Sequence, residues 1–275
     1  MSQYKHLSSS FVDETSIKHE LRNAARNYHE SGWVVVPLTY GSKSDGLPMG
    51  HNKMSLKDFN LESWSETPKN IMLKLGDISD GVLDVDLDCP EAQRFSELFI
   101  DLDLLPLTAR FGWGPVTHLI YRVPNAHIRR LTYKNPIESG DGEMLLELRG
   151  DGHGTVIAPS KHQVTGKKLN WVDEEWIPAE IKLPDLKRAL GLLATISLFS
   201  KLWPRESGSR NDSAMAMAGC LVRSGLVNEF QVRSLLEQIA LCANDEEAKS
   251  RGLVAVETFK KHERGESISS LGKLE

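Results

Sequence analysis

Apolar residues recur along residues 16–31 with the period of an amphipathic helix. Leu21 and Tyr28 stand seven positions apart, which is about two helical turns, so their side chains share one face. Gly32 interrupts this pattern, and the apolar run at residues 33–38 then has the length of a buried strand. The pattern predicts a helix that leads directly into a strand.

Short apolar stretches separated by polar turns continue through the first two thirds of the chain. A polar, glycine-containing stretch at residues 39–60 predicts a long loop. Pro90 suits the first turn of a helix over residues 90–100, and a turn-rich pair of strands is predicted between residues 155 and 171. The further predicted strands are residues 70–75, 82–87, 108–113, 118–123 and 144–149.

The periodicity changes near Pro184, after which only helical patterns follow. A polar linker at residues 204–212 separates the first two of them. The chain is therefore predicted to be α+β, with a mixed β-sheet domain over residues 1–185 flanked by helices and a small all-α domain over residues 186–275. The predicted helices of the second domain are residues 186–203, 213–223, 229–243 and 246–263.

The overall charge of the chain does not mark it as a nucleic-acid binder. With 33 basic and 38 acidic residues the formal net charge is −5, whereas many DNA-binding domains are strongly basic. The charge is nevertheless unevenly distributed, because Arg94 is the only basic residue within residues 77–103 and basic residues gather further along. An acidic site beside basic strips suits a nucleic-acid polymerase, but surface lysines are common in all classes of protein, so composition alone does not decide between them.

The sequence contains no apolar run of membrane-spanning length, and its polar N-terminal residues lack the apolar core of a signal peptide. These features predict a cytoplasmic protein with no membrane partner. The three cysteines, Cys89, Cys220 and Cys242, are too widely spaced to indicate a disulfide framework or a structural zinc site.

The sharpest chemical signal is a row of aspartates along the predicted strand at residues 82–87. Alternate residues of a strand point to the same face, so Asp84, Asp86 and Asp88 lie opposite the apolar residues between them. Aligned carboxylates repel each other unless a cation lies between them, and Mg²⁺ and Mn²⁺ prefer carboxylate oxygens. The row predicts a metal site, although a strand edge with solvated acids has the same pattern.

Two other strands contain candidate residues, each with a structural alternative. Glu147 and Arg149 share one face of the strand at residues 144–149 and form either part of a catalytic site or a cross-strand ion pair. His118 follows a glycine-containing turn at the start of a strand. It is either a hydrogen-bonded histidine at a strand end or a ligand of phosphate or metal.

A glycine-rich segment at residues 150–162 is a candidate phosphate-binding loop. Its glycines allow close backbone approach, and Ser160, Lys161 and His162 offer three consecutive side chains that are compatible with phosphate. The segment lacks the Gly-Lys-Ser/Thr ending of a P-loop. A polar hairpin with chance basic residues is the alternative.

In their order along the chain, these segments resemble the bifunctional DNA primase/polymerase N-terminal family of the archaeo-eukaryotic primase superfamily. The likeness covers most of residues 20–172. Each piece is short, and their common order and spacing are what make the likeness specific. The pieces are residues 25–38, 70–76, 82–86, the strand that begins with His118, residues 147–150 and residues 158–162.

The resemblance implies a DNA primase or DNA polymerase, a nucleotidyltransferase that builds chains from ribo- or deoxyribonucleoside triphosphates. It also implies two metal ions, Mg²⁺ or Mn²⁺, because the acidic motifs of the family match three carboxylates here. These catalytic and metal-binding residues are Asp84, Asp86 and Glu147.

The resemblance further implies that the triphosphate of the incoming nucleotide is bound by His118, Arg149, Ser160 and His162. The chain departs from the family at Gly114, where a Gly-Gly pair is frequent before the histidine, and at Glu147, where Asp is frequent. The resemblance therefore implies elongation of an existing primer more directly than initiation of new primers.

The C-terminal helices resemble the small helical domain that follows the catalytic domain in many plasmid and phage primases. A helicase often comes next in such proteins, so we expect a helicase domain beyond residue 275. Single-stranded DNA template and primer are the expected macromolecular partners. Lys161, Lys168 and Arg210 are the expected DNA contacts, although Arg210 fits a helix cap equally well.

Two other functions fit parts of the pattern. A metal-dependent nuclease is one, because Asp86 with Glu147 and Arg149 partly matches an Asp…Glu-x-Lys site, but the lysine is missing. The other is a non-catalytic replication-initiation or DNA-docking module that keeps the primase fold. The intact set of acidic residues favours catalysis over that second alternative.

Overall fold

A computed structural model describes residues 13–137 and 142–270, apart from the side chain of Ser207. Residues 1–12 and 271–275, which the two predicted domains include, lie outside the described residues. The strands are β1 (Val35–Thr39), β2 (Lys69–Lys74), β3 (Val82–Asp86), β4 (Ala109–Gly112), β5 (Val116–Arg122), β6 (Arg130–Lys134), β7 (Met144–Arg149), β8 (Gly154–Ile157), β9 (Asn170–Trp171) and β10 (Ala179–Glu180). The α-helices are α1 (Glu14–Glu30), α2 (Pro90–Asp101), α3 (Leu183–Lys201), α4 (Ser207–Ser224), α5 (Glu229–Cys242) and α6 (Ala248–Glu263).

The strands form two sheets. The smaller sheet is antiparallel and has the order β1-β2-β8, with Val36 opposite Met72 and Ile71 opposite Ile157. The larger sheet has the order β6-β7-β3-β5-β4-β9, and β10 pairs in parallel with β5. The α+β class and the mixed sheet predicted from the sequence are confirmed.

The helix α1 covers the smaller sheet with the apolar face that its sequence predicts. It begins where the Asp13 side chain accepts a hydrogen bond from the backbone N–H of Thr15, which satisfies one of the free donors at a helix start. Leu21, Ala25 and Tyr28 on the apolar face are at most 2% exposed. This burial fixes α1 against the sheet.

Four aromatic side chains close the core next to α1. The rings of Tyr28 and Trp33 stack with their centroids 5.4 Å apart, and Trp176 meets Tyr28 edge-on at 4.6 Å. The Tyr28 hydroxyl donates to the carbonyl of Ala158 at 2.6 Å and accepts from the indole N–H of Trp171 at 2.6 Å. Both polar groups are thereby satisfied inside the core, as buried aromatic residues require.

The helices of the C-terminal region pack through buried apolar residues. α2 lies against α3, and α6 lies against both α4 and α5. The side-chain amide of Gln231 donates to the carbonyl of Leu102 at 2.8 Å, just beyond the end of α2. The ammonium of Lys201 lies 3.0 Å from the carboxylates of Glu91 and Glu143.

The chain divides into two compact units, each made of several segments. The first contains the residues up to Val85, Thr108–Leu131 and Leu148–Glu180, and the second contains Asp86–Leu107, Thr132–Glu147 and the residues from Ile181 onward. The second unit thus takes two segments that the sequence assigns to the β-sheet domain. The predicted domain boundary between residues 185 and 186 stays a prediction.

Several elements differ from the sequence-based expectations. The two strands predicted between residues 155 and 171 are present as β8 and β9, but β8 pairs with β2 and β9 pairs with β4. The chain between them folds back on itself through an antiparallel bridge between Lys161 and Lys168. The polar linker is shorter than predicted, since α4 already begins at Ser207. The strand β6 was not predicted, because its alternating residues are exposed or half-buried and carry little apolar signal.

Candidate functional site on strand β3

The carboxylate of Asp84 lies in the protein interior. Leu83 and Val85 on either side of it face the core as predicted, and all three residues are 0% exposed. The alternative of a strand edge with solvated acids therefore does not hold for Asp84. The side chain of Thr155, on β8 of the smaller sheet, is a hydrogen-bond partner of Asp84.

The imidazole of His118 is the first polar partner of Asp84. β5 is the neighbour of β3 in the larger sheet, and the Nδ1 atom of His118 lies 3.1 Å from Oδ1 and 3.3 Å from Oδ2 of Asp84. Phe111 stands opposite His118 on β4, and the two rings stack with centroids 4.5 Å apart. The stacking and the carboxylate together fix the plane of the imidazole.

The guanidinium of Arg149 is the second partner. β7 is the other neighbour of β3, and Nη2 of Arg149 donates to Oδ2 of Asp84 at 2.8 Å. The side chains of His118 and Arg149 are 16% and 17% exposed, respectively. Asp84 is thus a buried carboxylate held between the imidazole of His118 and the guanidinium of Arg149, which are both largely buried and come from adjacent strands.

These partners keep Asp84 ionised despite its burial. Burial alone would raise the pKa of Asp84, but the charges of His118 and Arg149 and hydrogen bonds from His118 and Thr155 outweigh it and lower the pKa below its ordinary value. An ionised carboxylate without such partners would cost several kcal/mol to bury. The charge balance is therefore part of what holds the three strands together.

The predicted phosphate-binding segment forms a hairpin in which Ser160 and His162 have different environments. Ser160 is 0% exposed, and its hydroxyl accepts a hydrogen bond from the backbone N–H of Ile71 at 2.8 Å. That position anchors the hairpin, and a contact of Ser160 with phosphate stays a prediction. His162 is half-buried, and burial followed by the charges of His118 and Lys43 lowers its pKa.

Asn70 is a residue of this region that the sequence did not single out for function. Its side chain is 0% exposed and donates to the carbonyls of Ser42 and Lys161 at 2.9 and 2.8 Å. Its amide oxygen accepts from the backbone N–H of Lys161 at 2.9 Å. An amide next to the apolar run Ile71–Leu73 of β2 was the available signal, because such a group is buried only where it is hydrogen-bonded.

The other two predicted carboxylates lie in the second unit. Asp86 is half-buried at the end of β3, and Glu147 is 7% exposed on β7. Within residues 13–137 and 142–270 no three His, Cys, Asp or Glu side chains are grouped as a metal centre. The donors are still of the kind that Mg²⁺ and Mn²⁺ prefer, and the Arg149 guanidinium would compete with an ion for the carboxylate of Asp84.

The expected DNA contacts have unequal environments. Lys168 is paired with Glu20. The Arg210 guanidinium donates to the carbonyls of Pro204 and Arg205 and forms an ion pair with Glu246 at 2.7 Å. With its side chain 12% exposed, Arg210 has the position of a helix-anchoring residue, which favours the structural alternative for it.

The comparisons with known proteins give one family match. A family model described as bifunctional DNA primase/polymerase, N-terminal, matches residues 25–186, which is more than half of the chain. The matched region includes all the candidate carboxylates and nucleotide ligands. No curated protein matches the chain. Since the family match ends at residue 186, the likeness of the later helices to a primase C-terminal domain stays a prediction.

Proposed function

The chain belongs to the bifunctional DNA primase/polymerase N-terminal family, and on this premise we propose that it extends a primer on a single-stranded DNA template. The reaction is nucleotidyl transfer from a ribo- or deoxyribonucleoside triphosphate. Initiation of a new primer is the second activity that the family description names.

The observation that best supports this proposal is the buried cluster of Asp84, His118 and Arg149. An ion pair that only stabilises a sheet needs neither an imidazole nor a third strand. Here three strands each place one functional group at the same point, and these are the residues that match the family motifs. Perturbed ionisable groups of this kind concentrate at functional sites.

Arg149, His118 and His162 are proposed to bind the triphosphate. The planar guanidinium of Arg149 suits bidentate contact with phosphate oxygens. The ring of His118 is held by Asp84 and Phe111, so its other nitrogen has a fixed direction in which to donate a hydrogen bond. Catalysis of phosphoryl transfer depends mainly on such positioning and charge stabilisation.

Asp86 and Glu147, together with Asp84, are proposed to hold Mg²⁺ or Mn²⁺. When bound, two such ions would lower the pKa of the primer 3′-hydroxyl and neutralise the charge of the triphosphate and its leaving pyrophosphate. The Arg149 guanidinium already donates to the carboxylate of Asp84 and competes with a cation for it. A triphosphate that binds Arg149 would relieve this competition, so the two roles support each other.

A non-catalytic DNA-docking module remains the second candidate. The charge of Asp84 is already balanced by His118 and Arg149, and a module that kept the fold without the reaction would retain such a pair. The nuclease alternative has less support, because neither His118 nor Asp84 has a role in it.

Primer extension distinguishes these functions. The protein is incubated with primed and unprimed single-stranded templates, Mn²⁺ or Mg²⁺ and labelled nucleotides, beside the Asp86→Asn variant. We expect extension of the primed template that is lost in the variant, and products on the unprimed template would add initiation. DNA binding without product would support the docking module, and release of labelled nucleotides from DNA would support the nuclease.

A further inference from the structure

Two aromatic rings close to His162 each have a lysine ammonium above one face. Nζ of Lys167 lies 5.2 Å from the ring centroid of Trp113, and Nζ of Lys161 lies 5.4 Å from that of Tyr40. Trp113 also stacks with His162 at 5.8 Å and an interplanar angle of 21°. We define the aromatic–lysine strip as Tyr40, Lys43, Trp113, Lys161, His162 and Lys167.

The lysines of the aromatic–lysine strip retain their positive charge toward solvent. Among the described residues, Lys43, Lys161 and Lys167 have no carboxylate partner, whereas Lys168 on the same hairpin is paired with Glu20. Lys43 and Lys167 are exposed and Lys161 is half-buried. Three cations on one surface without carboxylate partners attract a polyanion.

The backbone beneath the aromatic–lysine strip is fixed by buried hydrogen bonds. Asn70 joins the carbonyl of Ser42 to both backbone polar groups of Lys161, so the loop of Tyr40 and the hairpin of Lys161 keep one relative position. Gly41 and Gly166 lie against the aliphatic part of the Lys161 side chain. The backbone that carries Tyr40 and Lys161 is therefore held in place before any ligand binds.

We propose that the aromatic–lysine strip binds single-stranded DNA, with a base stacked on Trp113 and backbone phosphates on Lys161 and Lys167. Aromatic rings accept the face of any base, and lysines neutralise the phosphates between them. A duplex does not fit this surface equally well, because its base faces are stacked inside the helix. The identification of this strand as template or primer rests on the proposed function, but binding needs neither metal ion nor nucleotide.

The base-stacking part is tested with two fluorescent oligomers of about 15 nucleotides, one of thymidines and one abasic with the same phosphates. Anisotropy is measured without metal ion or nucleotide. Trp113→Leu should weaken binding of the thymidine oligomer about tenfold and leave the abasic oligomer nearly unchanged. Trp113→Phe, which keeps a ring, should restore most of the affinity and excludes a loss of fold as the cause.

The phosphate part is tested with a matched pair of lysine variants. Lys167→Gln should reduce the slope of log affinity against log salt concentration by about 0.7, the contribution of one phosphate contact on a single strand. Lys168→Gln removes a charge from the same hairpin, but this lysine is paired with Glu20. It should change the slope much less.

Equal weakening of both oligomers by Trp113→Leu, or equal slopes for the two lysine variants, would overturn the proposal. So would binding of duplex DNA of the same length as tightly as the thymidine oligomer. Primer extension is measured separately. If Trp113→Leu extends primers normally and binds DNA as tightly as the parent protein, only the role of the aromatic–lysine strip is refuted. If the parent protein extends no primer but Trp113→Leu loses DNA binding, only the proposed function is refuted.

Discussion

Asp84 is the residue on which the candidate site depends. An isolated buried anion would be protonated or would destabilise the fold. Here Arg149 and His118 provide opposite charge at hydrogen-bonding distance, so the group stays ionised. The same contacts make Arg149 a competitor of any cation that approaches Asp84.

Replacing Arg149 by methionine should therefore strengthen the binding of Mn²⁺ in the absence of nucleotide and DNA. A neighbouring opposite charge shifts a carboxylate pKa by about one to three units, and removing such a competitor should raise the affinity for Mn²⁺ about tenfold. Free Mn²⁺ is measured by electron paramagnetic resonance. The double variant Asp84→Asn with Arg149→Met is the control and should lose the gain. Unchanged affinity in a folded Arg149→Met protein would show that Asp84 is not a metal ligand.

At the scale of single residues, the sequence predicted which residues of β3 enter the core better than it predicted which side chains contact Asp84. The alternation in β3 correctly placed Leu83 and Val85 in the core. It could not show that β8, which lies about seventy residues further along the chain, contributes a hydrogen bond from Thr155 to Asp84. The cross-strand ion pair that the sequence allowed for Arg149 is present, but its partner Asp84 could not be identified. Both contacts join strands that are distant in sequence.

At the scale of elements, the hairpin that contains Ser160 and His162 depends on one buried amide. Asn70→Ala would leave the carbonyl and the N–H of Lys161 without their side-chain partner, and buried unpaired groups cost about 1–3 kcal/mol. We expect a loss of about 2 kcal/mol in the free energy of unfolding, measured in urea. The hydrogen-exchange rate of the Lys161 amide should rise as well.

Asn170 offers a matched control for that measurement. It lies near the same hairpin, is exposed and makes one hydrogen bond to the carbonyl of Lys168 at 3.1 Å. Asn170→Ala should cost no more than about 0.5 kcal/mol. If the two variants lose the same stability, Asn70 does not clamp the hairpin.

The turn between α5 and α6 should be sensitive to acid. Burial alone would raise the pKa of Asp245, but the backbone N–H of Glu247 and the guanidinium groups of Arg251 and Arg210 outweigh it and hold the pKa below 3.8. Because the folded pKa is lower than the unfolded one, the contribution of Asp245 to stability is complete above that unfolded value. It is lost as the pH falls through the folded pKa.

Replacement of Asp245 by asparagine should reduce this acid sensitivity. At neutral pH the variant should be less stable by about 2 kcal/mol, because Arg251 loses a charged partner. The difference from the parent protein should shrink as the pH falls below about 4. The difference in the free energy of unfolding is measured by urea unfolding at several pH values, followed through the circular dichroism signal of the helices. A constant difference across that pH range would contradict the assignment.

The sequence predicted the elements with strong periodicity and missed those without it. The boundaries of α1, α2, β3 and β7 follow apolar patterns and were predicted within one to two residues. β6 and β10 carry half-exposed side chains, so their pairing is set by neighbouring strands. The beginning of α4 is polar, and for that reason it was taken for a linker.

At the scale of the whole molecule, the family match and the fold agree with each other. The match covers residues 25–186, which contain both sheets and the candidate site. The order of short motifs was sufficient to identify the family from the sequence, although no single motif was. The division into two units was not predictable in this way, because each unit is assembled from separated segments of the chain.

Template-directed addition of a single nucleotide tests the central claim most directly. Four primed templates that differ only in the first unpaired base are each offered one labelled nucleoside triphosphate with Mn²⁺, and pyrophosphate release is measured together with primer length. We predict addition only opposite the complementary base, one pyrophosphate for each nucleotide added, and loss of both signals in Asp86→Asn. Bound DNA without addition or pyrophosphate, or equal products with Asp86→Asn, would contradict the account.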